Sequence, residues 1–481
     1  MKKKFYVTTA IPYVNAKPHI GFALELVQAD VLARYSRLEN NDVYFLTGSD
    51  ENSLKNVQAA VKEGVKTKKL VDKYAEDFKN LKQTLNLSFD DFIRTSEKRH
   101  FIGAQKLWSS CNKEDVYKKK YKGLYCVGCE SYYTKKDLID GKCPEHKTVP
   151  EEIEEENYFF RLSNYQKKLI EIIQSDKLKI VPVSRKNEVL SFIKSGLEDF
   201  SISRSKERAK NWGVPVPGDD SQVMYVWFDA LSNYITGLNY GGDEKLYKKY
   251  WPADVQVIGK GILRFHAVYW PAMLLSAGIE LPQELFIHGY VSINGEKISK
   301  SLGNVIEPEE VVKKYGADAL RYYLLHEITY SNDGDFSWKK MEEIYNSALA
   351  NELGNLVTRV IVMLKKYQND KSENYSKIEE NEKLKLNTDI IQNKIAEFQF
   401  GGALDEIWRV VKNANEYIES NKPWELAKDK NKLNELENIL GNLFKSINGI
   451  GQALKPFLPE TSQKIKTQIK SLNPEPLFPK K

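Results

Sequence analysis

The chain has 481 residues, too many for one ordinary core, and this length predicts two to four domains. Its 41% hydrophobic and 29% charged residues are a globular balance, and no apolar run reaches the roughly 18 to 20 residues that span a bilayer, so disordered and membrane-spanning classes drop out. The formal charge of +6, from 72 basic and 66 acidic residues, permits a polyanionic partner without arguing for one.

Met1-Lys2-Lys3-Lys4 is basic, but Phe5 to Ala10 holds threonines and runs into Tyr13 and Asn15. The apolar stretch of a secretion signal is missing, and a cytoplasmic location without membrane partners is expected. Phe5 to Ile11 predicts a buried strand; after a loop with Pro12 and Pro18, an amphipathic helix is expected from Gly21 to Leu38. Val43 to Leu46 predicts a second strand ending in Thr47-Gly48-Ser49-Asp50, and helical spacing resumes through Val57, Ala60 and Val61. This rhythm implies an α/β fold with a parallel, doubly wound Rossmann-type sheet. From Val116 to Pro150 lysine and tyrosine are dense and the rhythm breaks, as an insertion would break it. It returns with three candidate strands, Met224 to Phe228, Val255 to Gly259 and Leu285 to His288. After Trp338 come long polar helices, Tyr345 to Tyr367, Glu382 to Phe398, Ala403 to Ser420 and Lys432 to Leu454, which predict an all-α bundle. The first carries an apolar stripe at Leu349, Leu353, Leu356, Val360 and Met363, and Gln368 to Asn381 reads as a polar surface loop.

Four cysteines are too few for a disulfide framework in so long a chain. Cys126-Val127-Gly128-Cys129 is followed, thirteen residues on, by Cys143-Pro144-Glu145-His146. Two such pairs have the spacing of a knuckle-type tetrahedral zinc site in a reducing compartment. Four protein donors fill the coordination sphere, so one structural Zn2+ per chain is expected, with free surface thiols as the weaker alternative. Cys111 falls outside the set and reads as a small core residue.

Two short motifs carry the chemistry: Pro18-His19-Ile20-Gly21-Phe22 at a helix start, and Lys297-Ile298-Ser299-Lys300-Ser301 much later. A helix N-terminus favours an anion such as triphosphate, and Gly21 lets a nucleotide approach the backbone closely. Lys297 and Lys300, on a loop of small serines, can bring positive charge to phosphates as the α-phosphorus becomes five-coordinate. Alone, a histidine at a helix start is more often a cap, and a lysine-serine loop is usually solvated. In this order on this scaffold, the pair resembles the two signature sequences of class I aminoacyl-tRNA synthetases.

The flanks narrow the resemblance to the methionyl-tRNA synthetases. Tyr6 to Asn15 looks like that family's first strand, and Tyr225-Val226-Trp227-Phe228-Asp229-Ala230, Val257-Ile258-Gly259-Lys260 and Arg264 to Pro271 match its blocks in order. The resemblance covers nearly the whole chain and implies a methionine–tRNA ligase. By position, the family's methionine pocket falls on Ala10, Ile11, Tyr13, Trp227, Ala230, Leu231, Tyr234, Ile262 and His266, and its α-ammonium carboxylate on Asp50. Apolar and aromatic walls suit an unbranched thioether. Arg204 matches an arginine near the active site. Glu25, Gly21, Gly259 and Val291 match positions around ATP, which enters with Mg2+, while His19, Lys297 and Lys300 match catalytic positions on phosphate. Asn355 and Arg359, four apart on one helix face, and Trp424 match the anticodon-reading positions, where an aromatic platform and a guanidinium suit unstacked bases. The implied partners are L-methionine, ATP and the initiator and elongator tRNA(Met).

The implied domains are a catalytic half at 1–115, a zinc-bearing connective peptide at 116–222, the second catalytic half at 223–280, a stem-contact region with the lysine-serine loop at 281–340, and an anticodon-binding bundle at 341–481. The chain ends at Pro479-Lys480-Lys481 without the appended domain that dimerises some members, so a monomer is expected. Three positions depart from the family pattern: Phe22 for a histidine, Asn52-Ser53 for His-Gly, and Gly261 for an aspartate. The competing readings are a class I synthetase for another amino acid, which for leucine, isoleucine or valine usually needs a large editing insertion, and a silent tRNA-binding paralogue that turns over no ATP.

Overall fold

Buried apolar segments of three to eight residues, separated by amphipathic helices, build the central sheet of the protein. The computed structural model describes residues 2–126, 131–133, 135–144, 147–298, 303–330, 332–367, 375 and 378–481. By packing, the chain divides into two units: Met1–Pro18, Ser36–Lys82 and Ser88–His288 form the first, and His19–Tyr35, Gln83–Leu87 and Gly289–Lys481 the second.

The sheet of the first unit contains β1 (Lys4–Thr9), β2 (Asp42–Ser49), β3 (Asp91–Arg94), β4 (Lys179–Val181), β5 (Val255–Gly259) and β6 (Glu284–His288). Their order is β3-β2-β1-β5-β6-β4, and all neighbours are parallel. The chain leaves β1 towards β2 on one side and returns at β5 on the other. That reversal opens a crevice at the carboxyl ends of β1 and β5, where open α/β sheets bind ligands. Val7, Val257 and Phe286 are fully buried along it. Gly48 is required between β2 and β3, because a Cβ there would sit 2.1 Å from the Ile93 carbonyl oxygen.

The insertion is a separate four-stranded sheet. Val116–Cys126 pairs antiparallel with Glu151–Phe160, setting Lys120 across from Glu156 and Lys122 across from Glu154. Opposite charges facing across a pair favour this register. The strand expected from Met224 to Phe228 does not join the main sheet. Asp219–Met224 is an antiparallel strand against Ser203–Ser205, and Val226–Leu231 is a helix. So short an apolar run fits a buried helical turn as well as a strand, and burial on all sides decided it.

In the second unit, the helix α1 (Ile20–Leu38) contributes Ile20 to Tyr35. It is anchored by Arg321, which is fully buried and meets the buried Asp30 at 2.8 Å. The same guanidinium donates to the carbonyl oxygens of Phe457 (2.7 Å), Pro456 (3.0 Å) and Leu85 (3.2 Å), so this buried charge pair is also fully hydrogen-bonded. The expected apolar stripe from Leu349 to Met363 is buried. Its helix is not uniform, however: Tyr345–Gly354 is a π-helix that tightens into an α-helix at Asn355–Tyr367. Asn415 Nδ2 donates to the carbonyl of Glu352 within the wide stretch (3.2 Å). The remaining helices include Thr388–Ala396, Phe400–Asn421, Leu433–Ala453 and an unanticipated Pro459–Ser471. Most of the loop expected from Gln368 to Asn381 lies outside the described residues. Among those described, no helix is long and apolar enough to cross a membrane.

Candidate active site

At the carboxyl edge of the first unit's sheet, Ala10, Ile11 and Tyr13 continue from β1 and Asp50 follows β2. Tyr13 and Asp50 are bridged as parallel partners, and the Asp50 amide donates to the Pro12 carbonyl at 2.8 Å. Gly259 closes β5, followed by Ile262 and then His266 on a single π-turn, Phe265–Tyr269. Trp227, Ala230 and Leu231 ride on the helix Val226–Leu231, with Tyr234 on the next short helix. The Trp227 indole stacks flat on Phe265, ring centroids 3.7 Å apart. Tyr234 Oη lies 2.6 Å from His266 Nε2, and His266 Nδ1 lies 2.9 Å from the carbonyl of Ile262. A carbonyl only accepts, so Nδ1 carries the proton and Nε2 accepts from tyrosine. Burial pulls the His266 pKa down to about 4, so the imidazole is neutral and this wall carries no charge.

One of the three departures from the family pattern, Asn52-Ser53, has a structural account. Asn52 is buried; its Nδ2 donates to Asp229 Oδ2 (2.8 Å) and to the Thr95 carbonyl (2.9 Å), while its amide reaches Asp50 Oδ1 (3.3 Å). Asp229 also meets His100, whose other ring nitrogen is 2.8 Å from Thr236 Oγ1. Ser53 caps the helix Leu54–Lys62 by accepting from the Asn56 amide, a role glycine performs less well. Sequence reasoning assigned no part to His100 or Asp229; both are fully buried, and a buried ionisable pair is the signal that marks them. Arg204, also buried, donates through Nη1 to Ser201 Oγ (2.8 Å) and the Ser203 carbonyl (2.7 Å). Gly261 is exposed in the turn after β5, and the structure offers no account of it.

In the second unit, His19 precedes α1 and accepts from the Gly21 amide through Nδ1 at 3.1 Å. With Nδ1 accepting, the proton of the neutral ring sits on Nε2. The side chain reaches solvent, yet the protein packed around it lowers its pKa below the ordinary histidine value. A Cβ on Gly21 would sit 3.0 Å from the His19 ring and 3.7 Å from Ile298 Cδ1. The Ile20 amide donates to the Ile306 carbonyl at 3.0 Å. The two signature segments, remote in sequence, therefore lie side by side. Glu25 is buried on α1, and Phe22 is half-buried. Val291 opens a strand paired with Glu296–Lys297 through Asn294-Gly295, both at positive φ (52° and 79°), a tight hairpin turn that sequence reading passed over. Lys297 is exposed, with Nζ 6.0 Å from the Tyr290 ring and its carbonyl accepting from Asn304 Nδ2 (3.1 Å). Lys300 lies outside the described residues.

In the bundle, Asn355 is exposed at the start of its helix, Arg359 pairs with Glu419 at 2.7 Å, and Trp424 is half-buried beside Pro423. In the insertion, Cys126 and Cys143 are buried, and neither forms a disulfide. Thr148 touches both: its Oγ1 is 3.8 Å from Cys126 Sγ, and its carbonyl accepts from the Cys143 amide at 2.9 Å. Both cysteines therefore adjoin Thr148, and thiols are donors that zinc accepts. Cys129 and His146 lie outside the described residues. Among those described, no group of three or more histidine, cysteine or acidic side chains is arranged to hold a metal.

A crevice at the sheet's switch point and two adjoining signature segments define a class I synthetase architecture. A family model described as tRNA synthetases class I (M) matches residues 5–149 and 137–361. The methionine–tRNA ligase of Clostridium acetobutylicum is 44% identical, the match covering 97% of this chain and 73% of that one. That of Caldanaerobacter subterraneus subsp. tengcongensis is 45% identical, over 98% and 74%. The Mycobacterium tuberculosis methionyl-tRNA synthetase in complex with methionyl-adenylate superposes with a TM-score of 0.91 at 37% identity, covering 99% of this chain and all of that one. The chain belongs to the class I methionyl-tRNA synthetases, and its activity is that of a methionine–tRNA ligase.

Proposed function

We propose that the first unit's pocket binds L-methionine and that the signature segments of the second bind ATP with Mg2+, so that the carboxylate attacks the α-phosphorus, releases pyrophosphate and leaves methionyl-adenylate. The observation that carries this reading is the approach of the signatures, Gly21 against Ile298, with the Ile20 amide donating to Ile306 just past the second of them. Asp50 holds the α-ammonium, while Ala10, Ile11, Tyr13, Trp227, Ala230, Leu231, Tyr234, Ile262 and His266 enclose the thioether; the neutral Tyr234–His266 pair supports this assignment. His19 donates from Nε2 to phosphate, Gly21 admits the nucleotide, Glu25, Gly259 and Val291 bound the adenosine, and Lys297 and Lys300 neutralise charge building on the phosphates. Arg204 acts near the same centre.

Methionyl then passes to the 3′ end of initiator or elongator tRNA(Met), whose anticodon meets Asn355, Arg359 and Trp424 in the 341–481 bundle. The enzyme works in the cytoplasm as a monomer. Cys126, Cys129, Cys143 and His146 would hold a structural Zn2+ in the connective peptide, where it would cross-link the turn without joining the reaction. Methionine-dependent pyrophosphate exchange tests the reading. Exchange well above that of a Lys300→Ala variant is expected, and equal rates would overturn it.

A further inference from the structure

His100 and Asp229 form a fully buried ionisable pair in the first unit, joined through His100 Nε2 and Asp229 Oδ1. An apolar pair of similar volume would fill the space without desolvating a carboxylate and an imidazole, and a cost of that kind points to what the pair holds in place. Asp229 rides on the helix Val226–Leu231, between Trp227 and Ala230. Thr236, whose Oγ1 is 2.8 Å from His100 Nδ1, ends the short helix that carries Tyr234. His100 belongs to the helix Lys98–Ser110, which approaches so closely that a Cβ on Gly103 would sit 2.4 Å from Thr236 Cγ2. One imidazole therefore ties together both helices of the proposed thioether wall.

The other carboxylate oxygen reaches the turn that carries Asp50. Asp229 Oδ2 accepts from Asn52 Nδ2 at 2.8 Å, and the same side-chain amide gives its second hydrogen to the Thr95 carbonyl at 2.9 Å. With both hydrogens committed, the Asn52 side chain has one orientation. Its backbone amide donates to Asp50 Oδ1 (3.3 Å), a turn closed by an aspartate side chain on the amide two residues ahead. The backbone is pinned as well: the Glu51 amide donates to Thr95 Oγ1 (2.8 Å), and Asn56 Nδ2 to the Asp50 carbonyl (2.9 Å).

We propose that His100 and Asp229 are positioning residues for methionine's α-ammonium: acting through Asn52, they hold Asp50 at a fixed place relative to the thioether wall. This role rests on the assignment of the ammonium to Asp50. A charged hydrogen bond depends on where the carboxylate points, whereas the thioether is held by shape, so loosening the link should cost the ammonium contact first.

The experiment follows methionine-dependent pyrophosphate exchange in the full chain, with methionine's desamino analogue, which keeps the thioether and the carboxylate, as a competitive inhibitor. In His100→Leu and in Asn52→Ala the KM for methionine should rise about tenfold, while the KM for ATP and inhibition by the desamino analogue stay within about twofold of native. His100→Gln, which keeps a donor for Asp229, should restore the KM for methionine. The double variant should be no worse than Asn52→Ala alone, because both changes act along one route. Should His100→Leu fail to fold, Asn52→Ala decides the matter by itself. An unchanged KM for methionine, or an equal loss for methionine and the desamino analogue, would overturn the role. If Asp50→Asn leaves the preference for methionine over that analogue intact, the ammonium assignment beneath it has failed instead.

Discussion

The proposed amino-acid pocket and the signature hairpin are built on opposite principles. Around the proposed pocket, several buried polar groups are paired, Tyr234 with His266, His266 with Ile262, and Asn52 with an Asp229 that also meets His100, while the Trp227 indole Nε1 is buried without a hydrogen-bond partner among the described residues. At the hairpin, Lys297 stands in solvent, its backbone steadied through Asn304. Selecting a neutral thioether needs a shape fixed in advance, because apolar contacts discriminate only by fit. Stabilising charge that appears only in the transition state needs a cation that can reach it as it forms.

This contrast can be attacked from its foundation. Arg321→Ala should cost about 2–4 kcal/mol, since it leaves Asp30 with Arg34 as its arginine partner and takes the donor from the Phe457, Pro456 and Leu85 carbonyls, and urea denaturation would read the loss. Lys297→Ala should lower pyrophosphate exchange about 100-fold, roughly 3 kcal/mol, with the KM for methionine within twofold. A large change in that KM would erase the distinction between the two regions. His266 sharpens the other side. Its folded pKa of about 4 is below the ordinary 6.5, so its contribution to stability is complete above pH 6.5 and is lost as pH falls towards 4. Between pH 6.5 and 5 that loss is about 2 kcal/mol, and it should vanish in His266→Leu. The smallest effect is expected far from both: Trp424→Ala should weaken tRNA binding by about 1 kcal/mol and leave exchange intact, as steady-state charging assays would show.

Much of this was legible in order along the chain. The strands at β1, β5 and β6 and the helix α1 have the apolar spacing that burial requires, and the Leu349-to-Met363 stripe meets the bundle core. Illegible were elements whose state depends on remote neighbours. Tyr225 to Phe228 is as apolar as a strand and folds into a helix, whereas the four-residue β3 and three-residue β4 are too short to show a period. The proposed pocket residues rest on a family resemblance, which says nothing of the bonds among them. His100 and Asp229 are 129 positions apart, and only folding reveals that they share a hydrogen bond.

Because Arg321, held by the Pro456 and Phe457 carbonyls, grips Asp30 in the middle of α1, the helix that begins at Ile20 is structurally a possession of the carboxy-terminal half. A fragment stopped at His288 would retain every residue of the parallel sheet and still lose the mooring of α1, the helix proposed to bind nucleotide. Attempts to trim this enzyme to a minimal adenylating core, or to graft a foreign RNA-reading bundle onto it, would therefore have to carry Arg321 and that turn along.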